Sequence, residues 1–161
     1  MGLTDARVAR TFGRGWPNGC YEKKLVHESF TCIVRKGHPA ADQRLTIARY
    51  CALSHLLVAP RGTPGGIVDD KLAADGRSRR VAVAVPHFLV VPHIVAATDL
   101  IATLPTRVVD ALASQRDLVK LPPPIALDGF DVAMVWHERN HHDPGQRWLR
   151  DQVVAIAAAL A

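Results

Sequence analysis

Apolar and polar residues alternate along this chain in short blocks whose period changes from block to block. Residues 55–59 form a brief apolar run that enters Pro60-Arg61-Gly62-Thr63-Pro64-Gly65-Gly66. The spacing over 67–75 predicts a helix, and 81–85 predicts a second strand broken at Pro86-His87. An apolar helix is expected over 88–97, then a strand over 100–103 that stops at Leu104-Pro105. Short apolar strands alternating with helices imply a parallel, doubly wound sheet. Ligands of such sheets bind at the carboxyl ends of the strands, here Pro60-Arg61-Gly62, Pro86-His87 and Leu104-Pro105.

The flanks read as strands and loops. Residues 5–9, 21–27 and 29–35 are strand candidates, with a glycine-containing loop over 11–18 and a break at Gly37-His38-Pro39. A short helix is expected over 45–50, with Thr46 near its start. Thr106 is the expected N-cap of a helix running to about Gln115, because its hydroxyl can accept from a free backbone N–H. Residues 118–121 predict a strand stopped by Pro122-Pro123-Pro124, and 129–136 another, with Phe130, Val132 and Met134 alternating against Asp131 and Ala133. Asp143 and Pro144 open a last helix, with Trp148, Val153, Val154 and Ala157 expected on its packing face. This layout suggests two lobes sharing the chain discontinuously, 1–37 with 123–161 and 38–122. A cleft between two lobes is a natural small-molecule pocket.

Composition narrows the class. With 161 residues and 48% hydrophobic positions, a sizeable core is feasible and global disorder is excluded. No apolar run approaches the roughly 18 residues of a membrane span. The first residues lack a signal-peptide pattern. Cys20, Cys32 and Cys51 are odd in number and without metal-like spacing, so reduced thiols in a cytoplasmic protein are expected. The net charge is +5, and the densest basic cluster, Arg77-Ser78-Arg79-Arg80, reads as a solvated turn between helix and strand, with smaller ones at Lys23-Lys24 and Arg35-Lys36. No aromatic residues are interleaved with these cations, so no nucleic-acid track is indicated.

Three stretches carry a resemblance: Val58 to Asp70, Val85-Pro-His-Phe-Leu-Val-Val-Pro92, and Ala97-Thr-Asp-Leu-Ile-Ala-Thr-Leu-Pro105. In order, they resemble the effector-binding region of LysR-type transcriptional regulators, nearest the subgroup that senses aromatic and phenolic compounds. Phe30 to Pro39 resembles that subgroup's crossover between lobes, and Gln146-Arg147-Trp148-Leu149-Arg150 the start of its last helix. The resemblance implies an α/β fold of two Rossmann-like lobes like the type 2 periplasmic binding proteins, with lobe one incomplete. The family's winged helix-turn-helix, its dimerisation helix and the first β-α-β of lobe one have no match here, so an N-terminally truncated fragment is expected. It also implies a non-catalytic inducer-sensing domain with no metal or cofactor. The expected partners are an aromatic effector, a second copy of the chain in a homodimer or larger oligomer, and DNA only through a domain absent from this chain.

Within that resemblance, Arg61 would pair with a carboxylate or phenolate. His87 and Thr103 would supply hydrogen bonds, and Pro60 and Phe88 an apolar wall. Gly62 and Thr63 belong to a glycine-containing turn that can present backbone N–H groups to an anion. Ala9 and Arg10 would face the cleft from lobe one.

His137-Glu138-Arg139-Asn140-His141 raises a second reading, because H-E-x-x-H on a helix places two zinc ligands one turn apart with a glutamate base. A strand leading directly into His137 would not place them so, and a polar surface loop then suffices. A zinc-dependent hydrolase and a ligand-free oligomerisation fragment remain the alternatives at this point.

Overall fold

The computed structural model describes residues 7–10 (main chain), 16–60, 62, 65–113 and 117–159. In chain order the elements are β1 (Arg7–Arg10), β2 (Cys20–Glu28), β3 (Phe30–Arg35), α1 (Ile47–Ala52), β4 (Ser54–Val58), α2 (Ile67–Ala74) and β5 (Arg80–Val85). A single 3-10 turn, Phe88–Val90, then leads into α3 (Val91–Ala96). Next come β6 (Leu100–Pro105), α4 (Thr106–Ala113), β7 (Leu118–Leu121), β8 (Phe130–His137) and α5 (Pro144–Ala159). Among the described residues, no helix is long and apolar enough to cross a membrane.

Two compact units divide the chain, one taking Met1–Glu28 with Gly129–Ala161 and the other Ser29–Asp128. The boundaries therefore differ from 37/38 and 122/123. The reason lies in β3, which sits between β6 and β7 in the larger unit's sheet and sends Cys32 and Val34 into one core and Ile33 into another. Ile125 and Leu127, beyond the prolines, also pack on the first of those cores.

The larger unit has the sheet order β5-β4-β6-β3-β7. Strand β4 pairs parallel with β5 and β6, as a doubly wound sheet requires. The sheet is mixed rather than wholly parallel, since β3 runs antiparallel to both β6 and β7. Side chains alternate across the sheet. Cys32, Val34 and Ile101 meet Tyr50 of α1 and Val68 and Leu72 of α2 on one face. Ile33, Leu56, Ala102 and Leu104 meet Val91 and Val95 of α3 and Val109 of α4 on the other. Burial on both faces explains the continuous apolar stretches Cys32-Ile33-Val34 of β3 and Leu100-Ile101-Ala102 of β6. Each fully buried Leu or Ile stabilises the fold by roughly 1.5–3 kcal/mol relative to an exposed one.

Local signals account for most helix ends. Thr46 caps α1, its hydroxyl accepting from the Arg49 N–H at 3.3 Å. Asp143 caps α5, accepting from the Gln146 N–H at 2.7 Å. Pro92 lies in the first turn of α3 and so begins the helix rather than kinking it. Thr106 does not act as a free cap: it is the first residue of α4, and its hydroxyl lies 2.8 Å from that of Ser29 and 2.9 Å from that of Thr31.

The smaller unit is an antiparallel sheet of order β1-β8-β2. The middle strand β8 buries Ala133 to Trp136. Helix α5 packs on β2 and buries Ala157, while Val153 and Val154 are half-buried. Trp148 departs from the expected packing face and is 64% exposed. Arg150 turns inward instead, about 200° away on a helix of 3.6 residues per turn. Its guanidinium donates to the carbonyl oxygens of Asn140 and His141 at 3.1 and 2.7 Å and lies 4.9 Å from the centre of the Trp136 ring.

Candidate functional site

Strands β4 and β5 end side by side, with Val58 opposite Val85 and the Ala59 N–H donating to the Val85 carbonyl at 2.8 Å. The turn after β4 closes through the Gly62 N–H to the Ala59 carbonyl at 2.9 Å. Gly62 and Gly65 have φ of +70° and +100°, a region side chains disfavour, so this path into α2 depends on glycine. Pro60, Gly62 and His87 are exposed, and Phe88 is half-buried against the second core beside Val58 and Val85. The structure thus brings Pro60, Gly62, His87 and Phe88 to adjacent strand ends. Arg61 and Thr63 lie outside the described residues. Ala9 and Arg10 are placed by their main chain alone, opposite Ala133 and Val132 in the smaller unit.

Thr103 is on the neighbouring strand, but its side chain enters the face covered by α1 and α2. Its Oγ1 lies 2.7 Å from the Tyr50 hydroxyl and 3.2 Å from Cys32 Sγ. Arg79 donates from Nη1 to the Tyr50 hydroxyl at 3.3 Å, and its Nε and Nη2 grip both carboxylate oxygens of Asp69 at 2.8 and 2.9 Å. A guanidinium has no acceptor, so Arg79 is the donor in each of these bonds. Tyr50 accepts from Arg79, and either hydroxyl can donate in its bond with Thr103. His55, also buried, donates from Nε2 to the Tyr50 carbonyl at 2.8 Å, which leaves Nδ1 to accept from Arg79 at 3.4 Å.

Burial drives the titration of this network. It pushes the Cys32 thiol up to about 11, a rise the Thr103 hydrogen bond and the Arg79 charge only partly offset. It likewise pushes Tyr50 up to about 12, aided by Cys32 and opposed by Thr103 and Arg79. For Arg79, burial opposes the charge, but the hydrogen bonds it donates to Asp69 and the Tyr50 and Asp69 charges hold its pKa above the ordinary value. A buried neutral thiol is unreactive. Alkylation of the native chain with iodoacetamide, followed by mass spectrometry, is therefore expected to mark the half-exposed Cys20 and Cys51 first and Cys32 only on unfolding.

His55 gives a pH prediction of definite sign. Burial first, with the Arg79 charge, lowers its pKa from 6.5 to about 4, against the pull of the Tyr50 carbonyl and Asp69. Between those values the unfolded chain binds the proton that the folded chain refuses. The stability it contributes is complete above pH 6.5 and is lost as pH falls towards 4. Asp128 is held low by Lys71, and Asp131 by Lys24 and His27, so both lose their contribution only as pH falls below 3.8. The melting temperature of the wild type is expected to fall across the upper window, and that of His55→Gln to fall less.

The described residues also line a cavity of about 530 Å³ between the start of α1 and the stretch Leu121 to Pro124, with Leu45, Ile47 and Arg44 on its other wall. Its volume is within the roughly 300–1,000 Å³ of ligand pockets. None of the sequence-predicted site residues that the structure describes lines it.

The His-Glu-x-x-His stretch is not helical. His137 ends β8, and Glu138–Asn140 forms one 3-10 turn. His137 Nδ1 accepts from the Arg139 N–H at 3.2 Å, and His141 Nδ1 from the Trp136 indole at 3.2 Å. The His141 ring also packs 4.2 Å from the Tyr21 ring. Among the described residues, no three His, Cys, Asp or Glu side chains gather as a metal site.

Residues 6–158 match the model of the LysR substrate binding domain. The chain belongs to that family. This LysR substrate-binding domain is 37% identical over 143 residues to the HTH-type transcriptional regulator SyrM of Rhizobium meliloti (strain 1021), covering 88% of the chain and 44% of the relative. It is 36% identical over 132 residues to the HTH-type transcriptional activator NahR of Pseudomonas putida, covering 82% and 44%. The chain therefore spans less than half the length of these curated relatives. Among solved structures, the regulatory domain of MexT, a transcriptional activator in Pseudomonas aeruginosa, superposes with a TM-score of 0.80 at 32% identity, covering 94% of this chain and 72% of that one. The effector binding domain of QuiR in complex with shikimate shares the fold, with a TM-score of 0.74 at 12% identity over 96% of this chain and 72% of that one. Family and relatives are transcriptional regulators, not enzymes, which with the turn geometry sets the hydrolase reading aside.

The Asp69–Arg79–Tyr50–Thr103–Cys32 network is not legible in the sequence. Arg79 reads there as part of a solvated turn, yet its side chain is 2% exposed. The available signal is a tyrosine and a histidine, Tyr50 and His55, flanking an apolar segment five residues apart.

Proposed function

We propose that this LysR substrate-binding domain senses a small aromatic acid or phenol and that the regulator it belongs to controls transcription in the cytoplasm. The observation that carries the reading is the meeting of a glycine-dependent turn with Pro86, His87 and Phe88 at the adjacent ends of β4 and β5. Exposed polar groups beside a half-buried aromatic wall suit a ligand with an apolar body and one anionic or hydroxyl head. In this reading Arg61 pairs with the head group, the Gly62–Thr63 backbone and His87 add hydrogen bonds, and Pro60 and Phe88 flank the ring. Ala9 and Arg10 are proposed contacts from the sequence alone. No metal or cofactor takes part. Binding changes the state of a homodimer or larger oligomer only as far as the ligand prefers one conformation over another. DNA contact belongs to another part of the regulator.

A thermal-shift series with benzoate, salicylate and substituted phenols tests this, with zinc and a chelator as controls. A ligand at 100 times its Kd adds about 2.7 kcal/mol to stability, or roughly 5–10 °C for a chain of this size. A saturable rise with one aromatic class is expected, and Glu138→Gln should leave it unchanged. A melt that no aromatic compound moves would sink the reading, and a rise with zinc alone would restore the metal alternative.

A further inference from the structure

The Thr103 hydroxyl stands within two residues of the end of β6, where the sequence suggests a ligand contact, yet both neighbours of that hydroxyl are inside the fold. Cys32 and Tyr50 are each fully buried. Beyond Tyr50 the hydrogen-bonded series continues through Arg79, which donates both to Tyr50 and to Asp69 in the first turn of α2. That turn begins at Gly66, directly after the glycine turn at the end of β4. The network therefore ties three things together: β3 through Cys32, β6 through Thr103, and the entry to α2 through Asp69. It lies on the α1–α2 face, while Phe88 packs on the opposite face.

We propose that Tyr50, Thr103 and Arg79 are positioning residues that hold the entry of α2 against β6 and β3, so that Thr103 acts on the effector through Tyr50 and Arg79 rather than by touching it. The inference rests on the reading of the chain as an aromatic-acid sensor. The geometry favours it because the Thr103 hydroxyl has one proton and already faces Tyr50 and Cys32. A hydrogen-bonded series of this kind fixes the separation of the elements it joins. The tightest link is the two-pronged pair of Arg79 and Asp69, whose planar fork matches the carboxylate.

The test is a double-mutant cycle on salicylate affinity, measured by titration calorimetry on the full chain. Tyr50→Phe and Thr103→Val remove hydroxyls while keeping shape, which spares the fold. Each is expected to weaken salicylate binding about fivefold, the effect of one hydrogen bond. The double variant should be no weaker than the poorer single, because both cut the same series. Thr103→Ser, which keeps the hydroxyl, should restore wild-type affinity. Hydrogen exchange gives a second readout: the amides of Gly66 to Asp70 should exchange faster in both single variants without ligand. If Thr103→Val weakens binding while Tyr50→Phe does not, Thr103 touches the ligand and the proposal falls. Wild-type affinity and exchange in both variants would also overturn it. A wild-type chain that binds neither salicylate nor benzoate would overturn the sensor reading and this one with it, a result distinct from wild-type binding that the variants do not change.

Discussion

Asp69→Ala is expected to lower the stability of the chain by about 3 kcal/mol, the lower end of the cost of removing one partner from a buried ion pair. The carboxylate is 27% exposed, but the guanidinium it grips is 2% exposed and cannot recover its hydration. The cost arises from the Arg79 charge left behind, which among the described residues then keeps the hydrogen bonds to Tyr50 and His55. In a melt this corresponds to roughly 6–12 °C. Asp70, the next residue, is exposed, and Asp70→Ala should change stability by about 0.5 kcal/mol at most. Asp69→Asn keeps an acceptor but loses the charge and should fall between the two. Combining Asp69→Ala with Arg79→Met removes the stranded cation, so the double variant should be more stable than Asp69→Ala alone. Equal melting of the Asp69 and Asp70 variants would show that the pair contributes nothing.

That contrast marks where the sequence stops being readable. Period and punctuation announce elements, and here they announce nearly all of them: the strand–turn–helix order of the larger unit, the cap at Thr46 and the cap at Asp143 arise from local chemistry. Two neighbouring aspartates at the start of a helix look alike, because either carboxylate suits the helix dipole. Only the fold brings Arg79, ten residues later, under one of them. The same limit applies to Trp148. A helix with apolar residues at 148, 149, 153, 154 and 157 has two candidate faces, and the sequence does not reveal that Trp136 offers a seat for the Arg150 guanidinium. Strand β3 is legible as a strand, but the unit it joins is not. A six-residue strand with a short apolar centre carries no mark of its partners, and pairing with β6 and β7 is a long-range fact. At the candidate site, the adjacency of Pro60, Gly62, His87 and Phe88 is legible because a parallel sheet's topology dictates it. The inward turn of Thr103 is not, since alternation along a strand says that two faces exist and not which one holds the ligand.

Gly129→Ala should be at least as damaging, and to the other unit. Gly129 immediately precedes β8, beside the last pair of that ladder, Glu28 with Phe130. A Cβ at this position would overlap the His27 ring and the carbonyl oxygen of Glu28. The ring is not free to swing away, since its Nδ1 lies 2.7 Å from the Asp131 carboxylate, which also holds Lys24 at 2.7 Å. The carbonyl is main chain and can move only if the end of β2 moves with it. Forced overpacking costs about 1–3 kcal/mol where side chains can adjust, and a backbone obstacle places this site at about 3 kcal/mol or above. The readout is selective, because all three tryptophans, Trp16, Trp136 and Trp148, belong to the smaller unit. The denaturant midpoint followed by tryptophan fluorescence should therefore drop sharply in Gly129→Ala. Adding His27→Ala separates the two obstacles. It removes the ring but leaves the carbonyl, so little of the loss should return. Full recovery would mean the ring alone stood in the way, whereas a wild-type midpoint in Gly129→Ala would mean that the two strands do not approach this closely.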